Sequence, residues 1–240
     1  MADIFNAVVY NPLYNALVGI VSVVPYAELG IAVIVLTLAV KFLLFPISLK
    51  AAKTQQIIRL MQPKLEALKE QYKEDKQALA LKTMELYREY NISPFSLFIP
   101  LLVQIPIILG LFWVFSSGGL PSINTDILYS FIPTPATIDM NFLGLINVAE
   151  RNIFLALLTG ITQYIQMHIV MPEITKRKDN ASFSDDFQRS FQLQMKYVFP
   201  LIITGISYAL PAAVALYWIT SNVFQIFQEM YVKKHIKNDA

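Results

Sequence analysis

Lys41 is the residue of this chain most in need of a chemical explanation. It lies inside Leu29 to Leu49, LGIAVIVLTLAVKFLLFPISL, a run long enough to cross a bilayer and free of any other charge. A hydrocarbon core of roughly 30 Å takes about 20 apolar residues in helix. At 1.5 Å per residue, Lys41 stands roughly 18 Å from one end of the run and about 12 Å from the other. A cation at that depth costs on the order of 3 kcal/mol on insertion scales. It can snorkel toward Lys50, although its stem spans only about half that distance past the nearly apolar FLLFPISL. Or it faces a polar cavity, with Thr37 and Ser48 on the same helical stripe at i−4 and i+7. Other apolar runs carry amides at mid-depth: Gln104, Gln163 and Asn222. Thr159, Gln163 and Gln166 share one helical face, and Trp218, Asn222 and Gln225 share another. A single buried amide is ordinarily a helix–helix hydrogen bond. A lysine joined by amides from several helices is harder to dismiss. No carboxylate occurs inside any of these runs, so either water or an acid from another molecule must meet the ammonium.

Composition narrows the chemistry further. Of 240 residues, 55% are hydrophobic and 15% charged, with a mean hydropathy of +0.50. That is the profile of a multi-pass membrane protein. With no cysteine there is no disulfide, no thiolate metal site and no acylated cysteine. His168 and His235 stand alone and cannot build a zinc site. There is no Walker loop, glycine fingerprint or internal repeat. No catalytic residue, metal or cofactor is expected. An intramembrane hydrolase with Lys41 as base and Ser207 or Ser221 as nucleophile has no serine motif to support it. A channel or transporter with Lys41 as an anion-attracting residue is the stronger alternative to the function described below.

The elements that must position these groups are helical. Asn11-Pro12 reads as an N-cap followed by Pro at the first helical position, opening an amphipathic interfacial helix over about 11–25. Val9, Leu13, Leu17, Ile20 and Val24 form its apolar face, and Asn11, Asn15 and Ser22 the other; a true span is the alternative. Spans are expected at about 29–49, 95–115, 153–171, 197–210 and 211–228. Residues 50–93 form an antiparallel helical hairpin with a thin seam. Its residues Met61, Leu65, Leu68 and Tyr72, then Leu79, Thr83, Leu86 and Tyr90, repeat a 4, 3, 4 spacing. Glu66/Lys69, Glu70/Lys73 and Glu85/Arg88 are pairs on its wet faces. So narrow a seam should leave the hairpin mobile. Ser93-Pro94 caps the second span, which carries Pro100 and Pro106 around Gln104. Residues 141–148 are expected on the membrane surface. Pro211 divides a long uncharged run into two short spans.

Charge sets the orientation. The hairpin holds nine basic residues, the loop from Lys176 to Lys196 five and the tail three, against Arg151 and Lys41 elsewhere. The positive-inside rule puts hairpin, loop and tail in the cytoplasm, and five spans then put the amino end outside. No Lys or Arg precedes Lys41, so the basic region of a signal peptide is missing.

Three stretches carry a family resemblance: KFLLFPISLKAAKTQQIIRLMQPKLEALKEQYK, NISPFSLFIPLLVQIPIILGLFWVF and YALPAAVALYWITSNVFQIFQ. In content, order and spacing they resemble the YidC-type membrane protein insertases, bacterial relatives of the mitochondrial oxidase-assembly and chloroplast Albino proteins. The resemblance covers about Phe5 to Tyr231. It implies an all-α membrane protein with five transmembrane helices around a hydrophilic groove, open to cytoplasm and lipid and closed outside. Beside these stand the amino-terminal interfacial helix and a cytoplasmic hairpin that helps recruit substrates. It implies a bacterial plasma (inner) membrane location and no enzymatic activity. It also implies nascent membrane proteins and the lipid bilayer as partners, with the ribosome and a Sec-type translocon beside them and no nucleic-acid site. Lys41 matches the groove's basic position, Gln163 its glutamine, and Tyr217 and Trp218 its substrate-contacting aromatics. Thr37, Gln104, Gln166 and Asn222 complete the expected groove. Many relatives carry Arg at the position of Lys41. The chain is expected to be a short form, without the large extracytoplasmic domain of some relatives.

Overall fold

The computed structural model describes residues 2–23, 28–93, 99–116, 120–171 and 189–239. The amino-terminal helix starts well before Asn11. α1 (Ala2–Phe5) runs through a π-helical stretch (Asn6–Tyr10) into α2 (Asn11–Val23). Asn11 has helical φ and ψ, so it is no N-cap, and Pro12 is accommodated by the wider turn before it. The expected end of this helix at Val24-Pro25 lies outside the described residues, as do the cap at Pro94, Pro100's side chain and the basic cluster at 176–178.

α3 (Leu29–Leu43) and α4 (Phe45–Gln71) are not one straight span. The chain breaks at Leu44 (φ −88°, ψ 0°), and the two axes differ by 69°. Pro46 has no N–H to return to Phe42, and its ring crowds that carbonyl. A tight turn then leads into α5 (Lys76–Glu89), whose first N–H groups are capped by Asp75 accepting from Gln77 and Ala78. Met61 and Leu86 are buried between α4 and α5, with the other seam residues half-buried. Glu85 pairs with Lys82 at 2.7 Å rather than with Arg88, and this bond raises the lysine's pKa.

α6 (Ile99–Ser116), α7 (Ile153–Val170), α8 (Phe199–Ala209, entered by a π-helical stretch Gln194–Val198) and α9 (Ala212–Asp239) complete the bundle. The break between α8 and α9 falls at Leu210-Pro211, where Leu210 is extended, as a residue before proline prefers. By length and composition, Asp3–Val23 and Ile153–Val170 can each cross a membrane, and the bent pair α3–α4 is a third candidate.

Residues 120–152 form a cap over one end of the bundle. They include a two-stranded hairpin of β1 (Asn141–Phe142) and β2 (Ile146–Asn147). The cap takes up the free N–H groups of helix starts: Leu29 N donates to Asp139 O at 2.8 Å, Ala212 N to Glu150 O at 2.7 Å and Ala213 N to Val148 O at 2.8 Å. It also binds α2 along its length. Asn124 N donates to the Tyr14 hydroxyl at 2.7 Å, Asn15 reaches Ile127 O and Tyr129 N, and Ser22 Oγ donates to Pro133 O at 2.8 Å. These bonds draw the polar face against the cap: Asn15 is buried and Asn11 and Ser22 half-buried, with Leu13 and Leu17 of the apolar face buried as well.

The hydrophobic core lies toward this capped end. It draws Leu13 to Val18 from α2, Leu29 to Leu36 from α3, Leu111 to Phe115 from α6 and Ala212 to Trp218 from α9. Gly110 lets Leu13 and Val9 approach α6, and Gly160 lets Thr204 approach α7. Beyond this plug, toward the hairpin end, the same helices separate.

Candidate functional site: a polar cavity around Lys41

Where the helices separate they enclose a half-open cavity of about 420 Å³. Lys41 enters it from the last turn of α3, and the α3–α4 break swings Ser48, Ala51, Ala52 and Gln55 round to form a second wall. α6 contributes Gln104, α7 contributes Gln163 and Gln166, and α9 contributes Trp218, Asn222 and Gln225. Six of the eight residues expected at a groove therefore line one space. Thr37 and Tyr217 do not. Thr37 is buried with its hydroxyl turned back onto Val33 O at 2.6 Å, and Tyr217 belongs to the hydrophobic core.

The amides form a chain from helix to helix. Gln163 Nε2 donates to Gln166 Oε1 at 2.8 Å, and Gln166 Nε2 donates to Gln225 Oε1 at 2.6 Å. Asn222 Nδ2 reaches Thr162 Oγ1 at 3.2 Å. Each glutamine on α7 is buried, so these bonds offset the desolvation of groups that would otherwise be unpaired. The chain joins α7 to α9 and leaves Lys41 out. Among the described residues Lys41 has no ion-pair or hydrogen-bond partner, and its amine shares the cavity with amides and water-sized space.

Three further polar residues line the cavity without standing out in the sequence: Gln55, Gln228 and Glu229. Glu229 is the consequential one, because it puts a carboxylate in the same cavity as the lysine. It accepts from Gln56 Nε2 at 2.9 Å and makes no ion pair with Lys41. The signal for it was present. Trp218, Asn222 and Gln225 are spaced 4 and 3, and Glu229 is the next residue of that stripe, one step past the expected end of the span. Around it, Arg59 Nη1 donates to Ile169 O at 3.4 Å, and Lys233 donates to the same carbonyl. Cations are favoured there, at the carboxyl end of α7. Ser48 Oγ donates to Gln228 Oε1 at 3.1 Å, a second tie between α4 and α9.

No group of three or more His, Asp or Glu side chains among the described residues could hold a metal ion. What the arrangement offers is a lysine that, among the described residues, is unpaired, in a polar, partly open space next to the apolar core.

A family model described as 60Kd inner membrane protein matches residues 20–239. The chain belongs to that family. Relatives agree along most of the length. A membrane protein insertase YidC of Fusobacterium nucleatum is 33% identical over 207 residues, covering 85% of this chain and 86% of the relative. One of Clostridium tetani is 29% identical over 236 residues, covering 98% and 95%. One of Oceanobacillus iheyensis is 30% identical over 210 residues, covering 85% and 74%. The 60Kd inner membrane protein family is all-helical and of the bacterial inner membrane, in keeping with the apolar helices described above.

Proposed function

We propose that this protein is a membrane protein insertase, which lowers the barrier for hydrophobic nascent chains to enter the bilayer and does no covalent chemistry. The names of its relatives support the activity, and the unpaired amine of Lys41 in the cavity supports the route. A substrate with a short acidic segment enters from the hairpin side, and the segment is drawn to Lys41. At about 4 Å and an effective dielectric near 20, the attraction is on the order of 4 kcal/mol. That is comparable with the roughly 3 kcal/mol required to hold an Asp at mid-membrane. The cavity has room for on the order of ten waters at about 30 Å³ each. Water and the Gln104, Gln163 and Gln166 amides lower what remains. The apolar substrate helix then leaves along α7 and α9 into lipid, driven by hydrophobic transfer.

In this reading the hairpin end faces the cytoplasm, where the basic residues concentrate, and the capped end faces outward. α3–α4, α6, α7, α8 and α9 are the five spans. α2 lies along the outer surface, because its bonds to the cap extend from Tyr14 to Ser22, about 12 Å of helix; a helix crossing the bilayer would meet the cap at one end alone. Nascent chains are the partners, with the ribosome and a Sec-type translocon as further ones.

The test is insertion of single-span substrates with acidic outer segments by Lys41→Ala and Lys41→Glu variants. Insertion falls in both and further in Lys41→Glu. Full activity of Lys41→Glu would contradict the electrostatic route.

A further inference from the structure

The cap carries leucines where a water-facing turn would carry polar residues. Leu143 and Leu145, at the tip of the β1–β2 hairpin, are 65% and 85% exposed, while Phe142 and Ile146 pack inward against the core. Leu143 sits at φ +54° and Gly144 at +66°. A bulky side chain is rarely placed in that left-handed region. Glu28 holds it there, accepting from Leu143 N and from Gly144 N, the latter at 3.1 Å.

We propose that this tip is a lipid-binding anchor, with Leu143 and Leu145 seated in the bilayer leaflet on the capped side. Three observations select lipid over water or a protein partner. First, the position is right. Asp139, before the hairpin, bonds Leu29 at the start of α3, and Val148, after it, bonds Ala213 at the start of α9. The hairpin is thus pinned at the level where two bundle helices begin. Second, the segment is adapted to a poor hydrogen-bonding medium. Leu143 and Gly144 donate to Glu28, Leu145 N to Phe142 O, Asn141 N to Asp139 Oδ1, Val148 N to Met140 O and Ala149 N to Asn147 Oδ1. Backbone donors satisfied internally are what a segment entering lipid requires. Third, no charged residue lies between Asp139 and Glu150. The flanking carboxylates are engaged: Asp139 with Asn141, and Glu150 with Asn147 at 2.9 Å. Phe131 in the cap, and Ile153 and Phe154 at the adjoining start of α7, are exposed as well. This inference rests on the family's place in the membrane and not on insertase activity.

The natural chain has no cysteine, which makes the test direct. Leu145→Cys and, separately, Leu143→Cys are labelled with an environment-sensitive fluorophore and reconstituted into phosphatidylcholine–phosphatidylglycerol vesicles. Gln77→Cys, exposed in the polar hairpin, is the aqueous control. Lipid contact gives blue-shifted emission at both tip positions, quenched by lipids brominated near the headgroup and protected from aqueous iodide, with the reverse at Gln77→Cys. Iodide quenching at the tip equal to that of the control overturns the proposal. So does protection from both quenchers, which would mean a protein surface covers the tip. Retained insertase activity in the labelled variants establishes that the fold is intact, and the lipid readout is independent of that activity.

Discussion

Gln56 and Glu229 meet beside the cavity, the amide nitrogen donating to the carboxylate at 2.9 Å across a sequence separation of 173 residues. The bond ties the base of the polar hairpin to the far end of the last helix. It also engages the carboxylate that, among the described residues, lines the cavity. Glu229 is committed to a neutral amide with Arg59 and Lys233 nearby, and it makes no ion pair with Lys41.

Replacing Gln56 with Leu removes the donor and leaves a buried carboxylate under-satisfied. The stability loss is roughly 1–3 kcal/mol. Glu229→Gln keeps an acceptor facing Gln56 and loses less. Denaturant unfolding of the two variants in the same detergent measures the difference, and equal losses would show that the bond itself is immaterial.

Gly30 faces Phe142 so closely that an added Cβ would lie within 2.8 Å of three of its carbon atoms. Gly30→Ala must therefore displace the β1–β2 hairpin from α3. Overpacking of this kind costs about 1–3 kcal/mol. Faster proteolysis within 139–150 in the reconstituted variant is the local readout, and an unchanged cleavage rate would count against the tight contact.

Gln166 is the middle link of the amide chain, accepting from Gln163 and donating to Gln225. Gln166→Leu breaks both bonds. Polar bonds between membrane helices contribute modestly, so the loss is about 1 kcal/mol. Thermal unfolding should shift only slightly, with a larger effect on insertion because the cavity wall loses polarity. A loss of several kcal/mol would mean that the chain holds the bundle together.

Much of this arrangement was legible in the residues. Lys41 announced the cavity because a charge inside an apolar run needs a partner or water, and the 4, 3 spacings of Gln163–Gln166 and Trp218–Asn222–Gln225 named the faces opposite it. Pro211 marked the α8–α9 break. Long-range contacts were not legible. Asn15 reads as a wet residue by periodicity, yet it is buried, because the cap supplies Ile127 O and Tyr129 N from more than a hundred residues away. Thr37 shares Lys41's stripe one turn earlier, but at that depth the core has already closed around α3 and the hydroxyl returns to its own helix. Glu229 is hidden because it is the first charge past the uncharged run, where a span would end, whereas α9 continues as helix to Asp239. The bend at Leu44 was masked by the uniform hydrophobicity on both sides of it, although Pro46 lies within it.

The most direct measurement is a charge-reversal cycle between position 41 and the substrate. Insertion rates are compared for Lys41 and Lys41→Glu, each with one single-span substrate whose outer segment carries either Asp or Lys. Electrostatic capture predicts a favourable coupling of up to about 4 kcal/mol, weakened by salt, with the Lys-bearing substrate inserting better into the Glu variant than into the natural protein. A coupling indistinguishable from zero, with both substrates responding alike to the reversal, would contradict it.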